Sequence, residues 1–147
     1  MIDQAHVLAF VVTLSTVIVA VMLHFESFIL FGRIVRKFKF AHRRRMLLLI
    51  FSLLLVHVVA IWSFGVSAWW LVEMNSIGMV SGYENMSFLD YIFMSAVTYT
   101  TLGYGDMIPL GPIRFLYGTQ GLVGFVLITW SASFAFLEMQ RNWNKLD

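Results

Sequence analysis

Thr100-Thr101-Leu102-Gly103-Tyr104-Gly105-Asp106 lies about two thirds of the way along a chain of 147 residues, and its reading decides the fold. Glycines at alternate positions, 103 and 105, permit backbone angles closed to residues that carry a Cβ. If those positions take mirror-related conformations, successive carbonyls point to one side instead of alternating. Four such strands around an axis would stack rings of carbonyl oxygens. With a ring of Thr101 hydroxyls, those oxygens can replace the water shell of a dehydrating cation. Tyr104 would then point away from the axis as a spacer, and Asp106 would sit at the mouth.

The residues before this stretch read as a short helix. Ser87 is followed three residues later by Asp90, a capping pattern. A half-apolar run, Tyr91 to Thr100, comes next. About 13 helical residues reach only about 20 Å, too short to span a bilayer. Gly103, Gly105 and Pro109 end the helix near Thr100. A short helix followed by irregular backbone between two spans is a re-entrant element. It is tolerated at membrane depth only where protein or water surrounds it.

The rest of the chain supplies those spans. Residues of the hydrophobic set make up 60% of the sequence and charged residues 12%, about half the usual soluble share. Mean hydropathy is +0.82. A small soluble domain cannot hide that much apolar surface, which excludes an ordinary soluble enzyme, a disordered segment and a nucleic-acid binder. There is no cysteine, so no disulfide or thiolate site is available. Spans are expected at about 7–31, 46–72 and 112–137. Seven of the ten basic residues, Arg33, Arg36, Lys37, Lys39, Arg43, Arg44 and Arg45, lie between the first two. The positive-inside rule makes that linker, 32–45, cytoplasmic. The N-terminus and the loop at 73–87 are then outside, and the tail at 138–147, with Arg141 and Lys145, inside. Glu73, Glu84, Asp90 and Asp106 give the outer face acidic character, which focuses cations.

In this setting Thr100 to Asp106 resembles the selectivity-filter signature of the tetrameric potassium channels, and Ser95-Ala96-Val97-Thr98-Tyr99 resembles their pore helix. The likeness covers roughly Met46 to Leu137. It implies an all-α membrane protein: outer helix 46–72, pore helix 88–100, filter 101–106 and inner helix 112–137, preceded by one extra helix, 1–31. It also implies a homotetramer in a prokaryotic plasma membrane, passing K+ passively with no organic cofactor. Thr101, Leu102, Gly103, Tyr104 and Gly105 would bind the ion, Asp106 would mark the outer mouth, and Thr100, Val97 and Tyr99 would support the filter. One filter segment per chain supplies a quarter of each ring, in line with closed cyclic symmetry. The chain departs from the family at Leu102, usually Val or Ile. It also departs at Val97, where some bacterial members carry Glu, and at Phe93-Met94, where they carry tryptophans. Asp106 is thus left to find other donors, with Tyr91 and Tyr99 as candidates. Slow inactivation is expected to differ accordingly.

Pro112 suits a helix's first turn. In the last span Gly118, Gly121 and Gly124 allow close helix approach, and Gly124 is also a candidate hinge. Ile128, Ala132 and Phe136 are candidates for the cavity or an apolar gate, with a stripe containing Thr129 and Ser133 as the alternative. In the linker, basic residues recur every third position, but the stretch is too charged for hydrocarbon. It is expected to lie on anionic headgroups. His24, Glu26 and His57 are ionisable groups at or near membrane depth and candidates for pH sensitivity. The alternative puts His24 and Glu26 at headgroup level, with His57 bonded to another helix. No catalytic constellation occurs. The competing readings are a less selective cation channel and a non-conducting subunit that co-assembles with a longer channel.

Overall fold

The computed structural model describes residues 3–37, 42–82 and 85–143. Lys39, Glu84 and Lys145, named above, lie outside the described residues. Four helices carry the architecture: α1 Gln4–Lys37, α2 His42–Trp69, α3 Phe88–Tyr99 and α4 Ile113–Trp143. Among the described residues, three stretches are long and apolar enough to cross a membrane: Gln4–Ile34, Arg43–Met74 and Ile113–Arg141. The fold is an all-α membrane architecture with α3 as a short fourth helix between the second and third spans.

The helices run further than the apolar stretches. α1 continues through Lys37 and α2 begins at His42, so most of the stretch read as a linker, 32–45, is helical. Arg and Lys are good helix formers and nothing in those turns breaks the ladder. Hydroxyls inside the spans bond back to their own helix. Thr13 donates to Ala9 at 2.7 Å, Ser27 to Leu23 at 2.6 Å and Ser52 to Leu48 at 2.6 Å. This satisfies polar groups that lipid cannot.

α2 ends in one turn of wider π-helix, Trp70–Met74, and the chain then forms β1, Met79–Ser81. β1 pairs antiparallel with β2, Ile108–Leu110, in the register Met79 to Leu110, Val80 to Pro109 and Ser81 to Ile108. The sequence reading has only a loop here. Gly82, at φ +99°, lies so close to Asp106 that a Cβ would overlap its carbonyl oxygen. The ribbon therefore ties the chain leaving Thr100–Asp106 to the loop between α2 and α3.

Ser87 and Asp90 start α3 as their spacing predicts. The Ser87 backbone N–H donates to Asp90 Oδ2 at 2.7 Å and its hydroxyl donates to the same oxygen at 2.8 Å. These bonds, the hydroxyl first, hold the Asp90 carboxyl below its ordinary range. A depressed carboxyl stabilises the fold above its unfolded value and loses that contribution as pH falls through the folded value. Asp90→Asn is therefore expected to lower thermal stability at neutral pH and to make no difference in strong acid. A scan of melting temperature against pH checks both arms.

The core joins α2, α3 and α4 through Phe64, Ala68, Tyr91, Met94, Tyr99, Leu116, Tyr117 and Leu127. α1 packs alongside. Thr16 Oγ1 meets Ser67 Oγ at 2.8 Å, and the Phe28 and Phe134 rings stack with centroids 4.3 Å apart. Leu14, Met22, Phe51, Leu55, Leu122 and Phe125 are exposed, as expected of helices whose solvent is lipid.

Candidate functional site

α3 is held on three sides. Ser95 donates to the Ile61 carbonyl of α2 at 2.7 Å. From α4, the buried Gln120 amide donates to both the Ser95 carbonyl, at 3.0 Å, and the Ser95 hydroxyl. Tyr91 donates to Glu73 Oε1 at 2.8 Å. A Cβ at Gly124 would overlap the Tyr99 carbonyl oxygen and stand 2.8 Å from its carbon. The candidate hinge is thus the point where α4 presses against the end of α3, and the local geometry at Gly124 is one of close packing.

α3 unwinds in a defined way. Thr100, Thr101 and Leu102 donate their N–H groups to Ala96, Thr98 and Val97 at 3.0, 3.0 and 2.9 Å. Beyond them φ is positive at every second residue: Thr101 +59°, Gly103 +95° and Gly105 +61°. The sequence reading places glycine's freedom at 103 and 105. Thr101 joins them although it carries a Cβ, at a cost of about 1–2 kcal/mol for a left-handed residue. Val97 supports the segment through its carbonyl, which accepts from Leu102.

Side chains along this stretch sort by face. Thr101, Leu102, Gly103, Gly105 and Asp106 are exposed, Leu102 by 79%. Tyr104 is half-buried, edge-on to Tyr117 with ring centroids 6.0 Å apart. No atom lies within 4 Å of a Cβ built on Gly103 or Gly105. The Thr100 hydroxyl donates to the Ala96 carbonyl at 2.8 Å. Tyr91 and Tyr99, the candidate donors to Asp106, are engaged elsewhere, with Glu73 and His57. That expectation is corrected: α3 aims both rings at its flanking helices.

Ile128, Ala132 and Phe136 are all exposed on α4. Thr129 and Ser133 are exposed too, their hydroxyls donating to Phe125 and Thr129 carbonyls at 2.9 and 3.0 Å. Both stripes are thus free in the single chain. His24 and His57 come together, with ring centroids 5.0 Å apart. His24 is 0% exposed, so it is interior to the bundle. Glu26 lies exposed on α1 and does not join them.

Three residues here escaped the sequence reading. Ser131 accepts or donates between the two histidines, and Gln120 anchors α3. Glu138 is buried and bonded to Arg45 at 2.6 Å, clamping α4 to the start of α2, with Arg141 at 3.4 Å. Glu138 had a usable signal, as a lone acid in an apolar helix. Ser131 had none.

A family model described as ion channel matches residues 45–141, about two thirds of the chain. The chain belongs to this ion channel family. No curated protein and no solved structure matches it. The matched stretch takes in nearly all of α2, then α3, the Thr100–Asp106 segment and α4 as far as Arg141, and leaves α1 outside. The channel domain is therefore the part built around α3, and its family is one of transport proteins rather than enzymes.

Proposed function

We propose that this channel is potassium-selective and passive, formed by four copies with Thr101 to Gly105 lining a shared axis. The observation that carries the reading is the alternation of positive φ at Thr101, Gly103 and Gly105 in an exposed segment. Reversing the backbone's hand at every second residue turns successive carbonyls toward one side. Rings of such oxygens can substitute for an ion's hydration shell. Tyr104, braced on Tyr117, is the spacer that sets the ring radius from behind. K+ is held by backbone oxygens of Thr101, Leu102, Gly103 and Tyr104, without a charged side chain until Asp106.

The basic residues Arg33, Arg43, Arg44 and Arg45 lie at one end of α1 and α2, and Asp106 follows the segment at the other end of the channel domain. We read the basic end as cytoplasmic, on anionic headgroups of the plasma membrane, with both the N-terminus and the filter mouth outside. Ile128, Ala132 and Phe136 line the cavity below the filter, narrowing at Phe136.

The test is purified protein in liposomes under opposed K+ and Na+ gradients. The expected reversal potential lies close to the K+ equilibrium value. A value near zero makes the pore a less selective cation channel, and absence of flux makes the chain a non-conducting subunit.

A further inference from the structure

Four side chains from four helices form one hydrogen-bonded chain, buried at Tyr99, Ser131 and His24 and half-buried at His57. Tyr99 Oη of α3 meets His57 Nδ1 of α2 at 2.9 Å. His57 Nε2 meets Ser131 Oγ of α4 at 3.0 Å, and the same oxygen meets His24 Nε2 of α1 at 2.8 Å. His24 Nδ1 is buried with no hydrogen-bond partner among the described residues. The chain thus runs from the helix that lies outside the channel family match to the residue just before Thr100-Thr101.

Counting hydrogens gives the chain a direction. Ser131 has one hydroxyl hydrogen and two imidazole neighbours, so at least one imidazole must donate to it. One arrangement of the neutral chain uses every hydroxyl hydrogen. Tyr99 donates to His57 Nδ1, His57 Nε2–H donates to Ser131, and Ser131 donates to His24 Nε2. The remaining ring hydrogen then falls on His24 Nδ1, the atom without a partner. An added proton breaks this order. On His57 it occupies Nδ1 and removes Tyr99's acceptor directly. On His24 it occupies Nε2 and removes Ser131's acceptor. Ser131 then turns its hydrogen to His57 Nε2, the His57 hydrogen moves to Nδ1, and Tyr99 again loses its acceptor. Both routes end at the same hydroxyl, which then accepts from His57 Nδ1–H and is left with its own hydrogen unpaired.

We propose that His24, Ser131 and His57 are positioning residues for the filter, a bracket that holds Tyr99 as a donor while neutral and turns it into an acceptor, its own hydrogen left without a partner, when one proton is added. The proposal rests on reading Thr101 to Gly105 as the filter. The groups facing the pair are hydroxyls: Tyr99 from α3 and Ser131 from α4. Glu26 on α1 is exposed, and Glu138 lies two turns along α4 from Ser131, bonded to Arg45 of α2 and to Arg141. Among the described residues, neither imidazole hydrogen-bonds a carboxylate that would neutralise an added charge. The second proton is opposed by the first, since the rings are 5.0 Å apart.

The experiment has one arm that does not depend on conduction. Nitrogen NMR of histidine-labelled protein in nanodiscs reads the tautomers, with His24→Gln and His57→Gln assigning the signals. At about pH 8, His24 should carry its hydrogen on Nδ1 and His57 on Nε2, and Ser131→Ala should disturb both. The second arm is K+ flux from about pH 8 to about pH 4. Flux should fall on acidification by about fivefold, the effect of leaving the buried Tyr99 hydroxyl hydrogen without its acceptor. Ser131→Ala and His57→Gln should flatten that profile rather than scale it. A wild type without K+ selectivity whose tautomers are as assigned would sink the filter reading and leave the bracket standing. Identical tautomers on both rings, or variants whose flux is scaled equally at every pH, would overturn the bracket itself.

Discussion

Gly103→Ala is expected to abolish K+ over Na+ discrimination in reconstituted protein while leaving the fold intact. At φ +95° this position is closed to an L side chain without strain. A Cβ there would meet nothing within 4 Å among the described residues of its own chain, so crowding is not the cause. The penalty is conformational, about 1–2 kcal/mol for each left-handed residue. Four subunits share one axis in the proposed assembly, so the strain is counted four times, about 4–8 kcal/mol in all. Each 1.4 kcal/mol is a tenfold change. The carbonyl rings should therefore be lost at equilibrium, and whatever flux remains should lose its selectivity. Melting temperature should fall only slightly, since the exposed segment relieves the strain by giving up its left-handed angle and no packing contact is lost. Retained selectivity in Gly103→Ala would remove the filter assignment.

Gly124→Ala acts in the opposite way, on stability before conduction. A Cβ at this position overlaps the Tyr99 carbonyl oxygen and stands 2.9 Å from the Tyr99 Cα. Those are backbone atoms and cannot turn aside as a side-chain tip would. Either α4 or the end of α3 has to move, and overpacking of this kind costs about 1–3 kcal/mol. For a chain of this length the melting temperature should drop by roughly 3–10 °C. Gly118→Ala is the internal comparison, because nothing lies within 4 Å of its Cβ. That substitution should hold or raise stability, given alanine's better helix propensity. A hinge at Gly124 predicts a different pattern: altered opening with unchanged melting temperature. Equal stability of Gly124→Ala and wild type would show that the close approach to Tyr99 carries no weight.

Much of the architecture was legible in the sequence because it rests on short-range signals. Apolar runs of span length mark the three long helices. Ser87 and Asp90 mark the start of α3, and the pair is hydrogen-bonded at that place. Gly103 and Gly105 mark backbone of unusual hand, and both have positive φ. Local signals failed where a partner was remote. The three-residue strands β1 and β2 are too short to show a period of two, and they pair across 27 residues, with Ser81 opposite Ile108. Thr101 gave no warning of its positive φ, since nothing in a threonine announces it. That angle is imposed by the hydrogen bonds that end α3, above all Leu102 to Val97.

The side-chain network behind Tyr99 was beyond reach for a further reason. An amphipathic helix advertises its buried face by its polar opposite. Helices in lipid are apolar all round, so the pattern cannot say which side of α1 meets α4. Residues alone determined that this chain belongs in a bilayer, that a short helix and a glycine-alternating strand sit between two spans, and where the charges gather. Only the tertiary structure decided which way each helix is turned. That rotation brought His24 within 2.8 Å of Ser131, 107 residues away, set Gly124 under Tyr99, and joined the extra helix to the residue just before the Thr100–Asp106 segment.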